Sequence, residues 1–532
     1  MAITGSPGVI IQEEDLSSFV GADSVTTAAF VGDFDWGPVD ERVRVTSEAK
    51  LIQYFGYPCD RNYQDWFTAR NYLNYSSSLQ ILRVVGAGST NANDLGLETL
   101  SINNASVYEF KHGDVVSSKV KVLARYPGEY GNKIKVAILN YEAFEAQKDK
   151  EEKNPATAYI PSVMRQNEIA VAIWVNDAIK EYGVYSIIDG STDTAGYENY
   201  VFKHFNNNSN FIYLVKENFN LDDPINEVFE LKGGSSADIS TGHRKMAWNI
   251  FKAAEDDDIQ LLMQGGGTTE LGQYIAEIAA SRKDCLACVS PALAECVGTP
   301  DPVKSICDGS AKAYMSTSNP NDLSGSFVFM DGNYKYQYDQ YNDCYRWLPL
   351  NGDVAGLFAQ LDEDEEPWMS PGGHNIRDCV KLAFYPSKAE RDELFANGVN
   401  PVTNFKEEGN VLYGDWTRHY DSAFNFVGVR RCFLYMERNI KNYARKVMWK
   451  QNDEMTETTF RQTVEPFLTL VQGGRGISEF KVYLGDQVSS PDERDRGIFK
   501  AKILVKPVRS IRYVALVFTA VRSDISIEEV VE

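Results

Sequence analysis

Uninterrupted apolar runs, rather than strict alternation, mark the first strong elements of the chain. Thr27-Ala28-Ala29-Phe30-Val31-Gly32 reads as a buried strand that leads into a turn at Asp35-Trp36-Gly37-Pro38. A helical stretch around Trp66 to Leu73 follows, and then a second apolar strand from Leu79 to Val85. The same rhythm returns later. Helical spacing from His243 to Ala254 precedes the strand Ile259 to Met263 and the turn Gly265-Gly266-Gly267. Leu271, Tyr274, Ile275, Ile278 and Ala279 recur at helical spacing before the strand Cys285 to Ser290, which makes a strand-helix-strand unit with parallel pairing. Ser326 to Met330 and Tyr334 to Tyr338 flank Asp331-Gly332-Asn333, a hairpin signal.

Between these two α/β stretches the pattern changes. Gly, Ser and Asn accumulate from Gly86 to Asp94, and a strand-rich region with polar interruptions at Gln147 to Asn154 and Asn206 to Asn210 runs to about Ser240. The predicted fold class is therefore mixed α/β and multidomain. A core α/β sheet domain is assembled from residues 23–90 and 245–510, and residues 91–244 form an inserted β-rich domain. Residues 1–22 make an N-terminal arm and 511–532 a C-terminal strand and arm. In the arms, Val9, Ile10, Ile11 and Gln12, and Tyr513, Val514, Ala515, Leu516, Val517 and Phe518, read as short strands with no obvious partner beside them in sequence. Such strands pair within their own subunit or complete the sheet of another one, and the residues alone leave both open.

Close to the C-terminus, Phe433, Met436, Ile440, Tyr443, Ala444 and Val447 share one face of a helix, while Arg431, Arg438, Lys441 and Arg445 gather on roughly the opposite face. The local sign matters because the whole chain has a net charge of -22. An acidic chain does not approach nucleic acid phosphates directly, but a basic stripe on it is either a solvated face or a docking surface for an acidic partner.

At 532 residues the chain exceeds what one core supports, and its 43% hydrophobic and 24% charged residues are ordinary globular values. Its start lacks the basic and apolar regions of a signal peptide, and no apolar run approaches membrane-spanning length, so no membrane insertion is expected. That places it in a cytosol-like compartment, or free after lysis.

Candidate chemistry is sparse. Cys285 and Cys288 have the spacing of a zinc pair, but in a strand they point to opposite faces. His112, His204, His243, His374 and His419 are scattered. The run Asp362 to Glu366 reads as a solvated acidic loop, with a glycoside-hydrolase carboxylate pair as its competing reading, and Asp256-Asp257-Asp258 likewise reads as solvated loop rather than cation site. Neither Gly128 to Lys133 nor Gly265 to Gly267 has phosphate-loop or dinucleotide spacing. No catalytic residues, cofactor or metal are predicted.

Several separated segments together resemble the contractile phage tail sheath family. They are Ser6-Pro7-Gly8-Val9, Ala29 to Gly32, Trp36-Gly37-Pro38, Val45-Thr46-Ser47, Phe55-Gly56 and Leu82-Arg83-Val84 near the start. Pro127-Gly128, Gly131-Asn132, Val354-Ala355-Gly356 and Ser370 to Asn375 follow, and the densest match is Asn397 to Asn400, Gly409-Asn410-Val411, Gly414 to Thr417 and Val429-Arg430-Arg431 with the helix after it. Residues 141 to 244 add little, and Lys450-Gln451-Asn452 replaces an acidic Glu-Pro-Asn-like turn of the family.

The resemblance implies a structural, non-enzymatic subunit that forms stacked hexameric rings around a tail tube and contracts to drive the tube through a host envelope. It implies a homo-oligomer with tube, baseplate and tail terminator proteins as partners, located in the virion after assembly in the host bacterial cytoplasm. Terminal arms would join neighbouring core sheets, and Arg431, Arg438, Lys441 and Arg445 would face the tube. The sheath of a phage-derived bacteriocin or extracellular injection machine is a second assembly reading, and a tail-associated glycan hydrolase is a reading of another class.

Overall fold

Five short parallel strands, joined by one antiparallel edge strand, organise the molecule. In the computed structural model residues 26–513 are described, apart from 148–152, 161–163, 254–257 and 320. The predicted arm strands Val9 to Gln12 and Val514 to Phe518 lie outside the described residues. The sheet runs in the order Val328–Met330, Leu286–Val289, Leu261–Met263, Ala28–Asp33, Leu79–Val84 and Arg42–Val45, the last being antiparallel. A parallel sheet is covered on both faces, which is why its strands read as continuous apolar runs.

Alternate residues enter different cores. Phe30, Ile81, Met263, Cys288 and Phe329 join one cluster with Trp66, Tyr72 and Phe358. Val31, Leu82, Leu262, Cys285 and Ala287 join another with Trp248, Leu271 and Ile275. Cys285 and Cys288 therefore lie on opposite sides of the sheet and cannot share a ligand.

The first face is closed by helices far apart in sequence. Tyr63–Leu73 packs on Asn351–Asp364, where a Cβ at Gly352 would sit 2.5 Å from the Thr68 carbonyl oxygen and one at Gly356 would sit 2.5 Å from the Tyr75 ring. Glycine at 352 lets the two backbones approach, and glycine at 356 makes room for the Tyr75 ring. At the interface, Lys335 Nζ reaches Asp353 at 2.8 Å with both side chains out of solvent, and the Tyr75 hydroxyl lies 3.3 Å from the same carboxylate.

The strand-rich region forms a separate apolar cluster. Its main sheet is antiparallel, ordered Ala178–Ser186, Glu168–Val175, Ile134–Asn140 and Asn226–Glu230, and a strand pair Val122–Ala124 with Ile212–Leu214 lies beside it. Chain entry and exit are tied together, since Thr90 and Ser235 exchange backbone hydrogen bonds at 3.1 and 3.2 Å. Arg83, buried in the parallel sheet, donates to the carbonyls of Phe34, Asp35, Gly37 and Pro127 and so fastens this region to the body. The helix expected from His243 is Thr241–Trp248 with a 3-10 turn Asn249–Phe251, and its Ala247 and Trp248 pack in the parallel-sheet core.

Two expectations of local structure are overturned. The residues around Asp331-Gly332-Asn333 are not a hairpin: Val328–Met330 pairs in parallel with Leu286–Val289, and Tyr334–Asp339 turns away to pair with Cys344–Pro349 in another sheet. The cause is burial. Asp331 is 1% exposed and accepts a 2.6 Å hydrogen bond from Ser290 Oγ, Asn400 N–H donates to the Met330 carbonyl, and Asn333 Nδ2 donates to the carbonyls of Phe384 and Val402. These bonds turn the chain from one sheet into the next. Of the acidic run expected as a loop, Asp362 to Asp364 instead finish the helix Asn351–Asp364, and only Glu365 and Glu366 lie beyond it.

Desolvation by burial pushes the Asp331 carboxyl up to about 8. Between pH 5 and pH 8 the folded chain thus retains a proton that the unfolded chain, near its ordinary value of about 4, has released. Stability must fall as pH rises through that window. Denaturant titrations at pH 5 and 8 are expected to show a larger drop for the wild type than for Asp331→Asn, whose side chain does not titrate.

Candidate functional site

The segment from Val427 to Tyr513 reverses the charge of the chain, with seventeen Lys and Arg against ten Asp and Glu where the whole chain has 53 against 75. It is a helical hairpin backed by a strand pair. The helix Val427–Val447 packs on Glu454–Gly473 through Met436, Tyr443, Phe460, Val464, Leu468 and Val471, with Phe433, Ile440 and Val447 half-buried against them. The expected apolar face is thus the seam of the hairpin, except that Ala444 is exposed. Asp453 caps the second helix by accepting from Thr456 N–H at 2.9 Å.

The strands Ile477–Leu484 and Ala501–Pro507 pair antiparallel and place Phe480, Val482, Leu484, Ile503 and Val505 in the hairpin core. The other face exposes Glu479, Lys481, Lys502, Leu504 and Lys506. Among the described residues neither strand has a second partner, so both edges present main-chain donors and acceptors. The chain then passes a firm anchor. Arg512 Nε lies 2.7 Å from Asp415, Nη1 donates to Asn425 at 2.7 Å, and the guanidinium sits 3.5 Å above the Phe426 ring and 4.3 Å above Trp416. Ile511 and Tyr513 beside it are exposed, and Tyr513 is not in a strand.

The four predicted tube-facing cations separate. Lys441 and Arg445 are exposed. Arg438 Nε meets Asp258 at 3.1 Å, and its Nη2 donates to the Asp284 carbonyl at 3.2 Å. Arg431 is buried: it binds both oxygens of Asp362 at 2.6 Å, donates to the Phe358 carbonyl and stacks 4.5 Å from the Phe358 ring. Its assignment to an outward face is corrected. The reason is that one helix crosses two environments, its first turns lying on the parallel-sheet body, where Leu434 joins the core, and its last turns on the hairpin. Charge periodicity sees a stripe but not the body beneath half of it.

Asp362 is one of the carboxylates of the run Asp362 to Glu366 on which the hydrolase reading draws. It is held by Arg431 and by the Thr26 hydroxyl, which leaves it engaged in joining the hairpin to the body. Two features escaped the reading of the sequence. The alternation Lys502, Leu504, Lys506 signals a strand with a basic solvent face, and Trp449, in the turn between the helices, is 97% exposed.

Comparison with known proteins defines the class. Residues 306–418 match the phage tail sheath protein central domain, and residues 419–520 match the phage tail sheath C-terminal domain. The tail sheath protein of Vibrio phage KVP40 is 26% identical over 99% of this chain and 99% of its own. That of Enterobacteria phage T4 is 26% identical over 98% of each. The fold is also that of the sheath tail protein Lin1278 from Listeria innocua, with a TM-score of 0.56 at 12% identity, covering 92% of this chain and 97% of that one. The contracted sheath complex of an extracellular contractile injection system, PVC, gives 0.52 at 13% identity, covering 99% and 100%. Residues 306–520 thus match phage tail sheath domains, and the chain is similar over nearly its whole length to tail sheath proteins.

Removing Arg431 leaves Asp362 charged and largely enclosed. Arg431→Ala is expected to cost about 3 to 5 kcal/mol in denaturant unfolding, whereas Lys441→Ala and Arg445→Ala should each change stability by less than about 0.5 kcal/mol.

Proposed function

We propose that the chain is the structural subunit of a contractile tail sheath, polymerising as stacked hexameric rings around a tail tube and contracting to drive that tube through a host envelope. The observation that carries this reading is the end-to-end match with tail sheath proteins of two phages, across nearly the whole of each chain. The work of contraction comes from a difference in contact energy between two arrangements of subunits, not from bond cleavage. The baseplate and tail terminator bound the assembly at its ends, and it forms in the host cytoplasm before release in the virion.

Connectivity during contraction is assigned to the arms. The open edges of Ile477–Leu484 and Ala501–Pro507 are suited to receive the segments around Val9 to Gln12 and Val514 to Phe518 from neighbouring copies. Each main-chain hydrogen bond adds roughly 1 kcal/mol net, and the anchor at Arg512 fixes where the C-terminal arm departs. Residues 91–244 are placed outside the core as an inserted domain, consistent with their separate apolar cluster. The tube is held by the hairpin, through Lys441 and Arg445 and less through Arg438, whose charge is already partnered.

Two experiments test this reading. Purified full-length protein imaged in negative stain should form rings or hollow cylinders, and deleting residues 1–20 or 514–532 should suppress those polymers while leaving a cooperative unfolding transition. Normal cylinders from both truncations would remove the arms from the account. On tubes, the double variant Lys441→Glu, Arg445→Glu should still self-polymerise but sheathe poorly, with the defect largest at low salt where repulsion is least screened. Equal sheathing at low salt would show that the hairpin faces something else.

A further inference from the structure

The hairpin tip holds a residue that its own fold gains little from. Trp449 is 97% exposed and has φ 69°, in the left-handed region that a bulky side chain adopts only at a cost in free energy. The exposed indole gives no burial in return, because its apolar surface stays in water. Met448 before it is 58% exposed and Met455, in the first turn of the next helix, is 77% exposed. One turn thus offers a large rigid aromatic and two adaptable thioethers to solvent.

Basic groups surround it. Lys441, Arg445 and Lys450 are exposed on the same hairpin end; of the neighbouring acids Asp453 is engaged in capping Thr456 N–H, Glu457 is bridged to Arg494 at 3.2 Å and Glu454 is exposed, so the cations outnumber the exposed acid at the tip. The turn itself is tight, with Met448 N–H donating to the Ala444 carbonyl and Lys450 N–H to that of Val447. Trp449 is therefore presented in a defined direction and not on a loose loop.

From this we infer that Trp449 is an apolar anchor that seats in a carboxylate-rimmed apolar pocket on the outer surface of the tail tube. The inference rests on the assignment of the hairpin to the tube. Charge complementarity selects the rim, since the collar of Lys441, Arg445 and Lys450 repels a basic surface and attracts an acidic one. A buried aromatic at the centre of a small contact carries most of its binding energy, and the charges around it steer and register it. A single inserted side chain with no main-chain pairing is also a contact that can release when the sheath moves away, unlike the strand edges that must stay joined to other copies.

The test uses the full-length protein and tail tubes purified from the same kind of tail, with co-sedimentation measured at about 50 mM and about 500 mM salt. Trp449→Asn keeps a residue that tolerates the left-handed turn, so its thermal midpoint should be no lower than wild type. Its affinity for tubes should fall at least about tenfold at both salt concentrations, with tube-free polymerisation unchanged, while Trp449→Phe stays within about threefold. If Trp449→Asn binds tubes normally and the Lys441→Glu, Arg445→Glu variant does not, the hairpin still faces the tube and the anchor is overturned. If neither variant alters tube binding, the tube assignment itself fails. Loss of self-polymerisation with tube binding intact would place a second copy of the chain on the tip, and a clear fall in thermal midpoint would place the indole within its own subunit. Either result overturns the inference.

Discussion

A parallel sheet has to be covered on both faces, and this chain covers its sheet with helices drawn from distant parts of the sequence. The close contact of Tyr63–Leu73 with Asn351–Asp364, made possible by Gly352 and, beside it, by the room Gly356 leaves for the Tyr75 ring, locks residues 26–90 to the later half. Everything between Thr90 and Ser235 can then be a loop in topology and a folded region in its own right, because its ends are already held together. The body gains a rigid base without needing the strand-rich region for its core.

The helix Val427–Val447 carries that rigidity outward. Its first half is clamped to the body by Arg431 on Asp362 and by Leu434 in the sheet core, and its second half forms the seam with Glu454–Gly473. The strand pair Ile477–Leu484 and Ala501–Pro507 rides on that seam. A basic unit whose two strand edges are unpaired among the described residues is thus fixed to an acidic body by buried contacts, which is the arrangement a polymerising subunit requires if its links are to move with the body during contraction.

Much of the body was legible in the sequence because the signal is local. Apolar runs such as Ala28 to Val31 and Leu79 to Val84 announce strands buried on both sides, and Leu271, Ile275, Ile278 and Ala279 announce the helix between two of them. What failed was decided at a distance. The turn at Asp331-Gly332-Asn333 has hairpin composition, but its course is set by Ser290 and Asn400. Arg431 belongs to a basic stripe by periodicity, yet its partner Asp362 lies 69 residues earlier. Trp449 was missed for a simpler reason: it falls just beyond the periodic stretch, and only its exposure in the folded turn distinguishes it.

The central claim is that copies of this chain remain linked through the C-terminal strand pair in every state of the sheath. Amide hydrogen exchange of residues 477–484 and 501–507, compared in the monomer and in extended and contracted polymers, tests it most directly. Edge amides that exchange quickly in the monomer and are protected in both polymers are the predicted result. Edge amides that stay unprotected on assembly, or lose protection on contraction, would contradict the account.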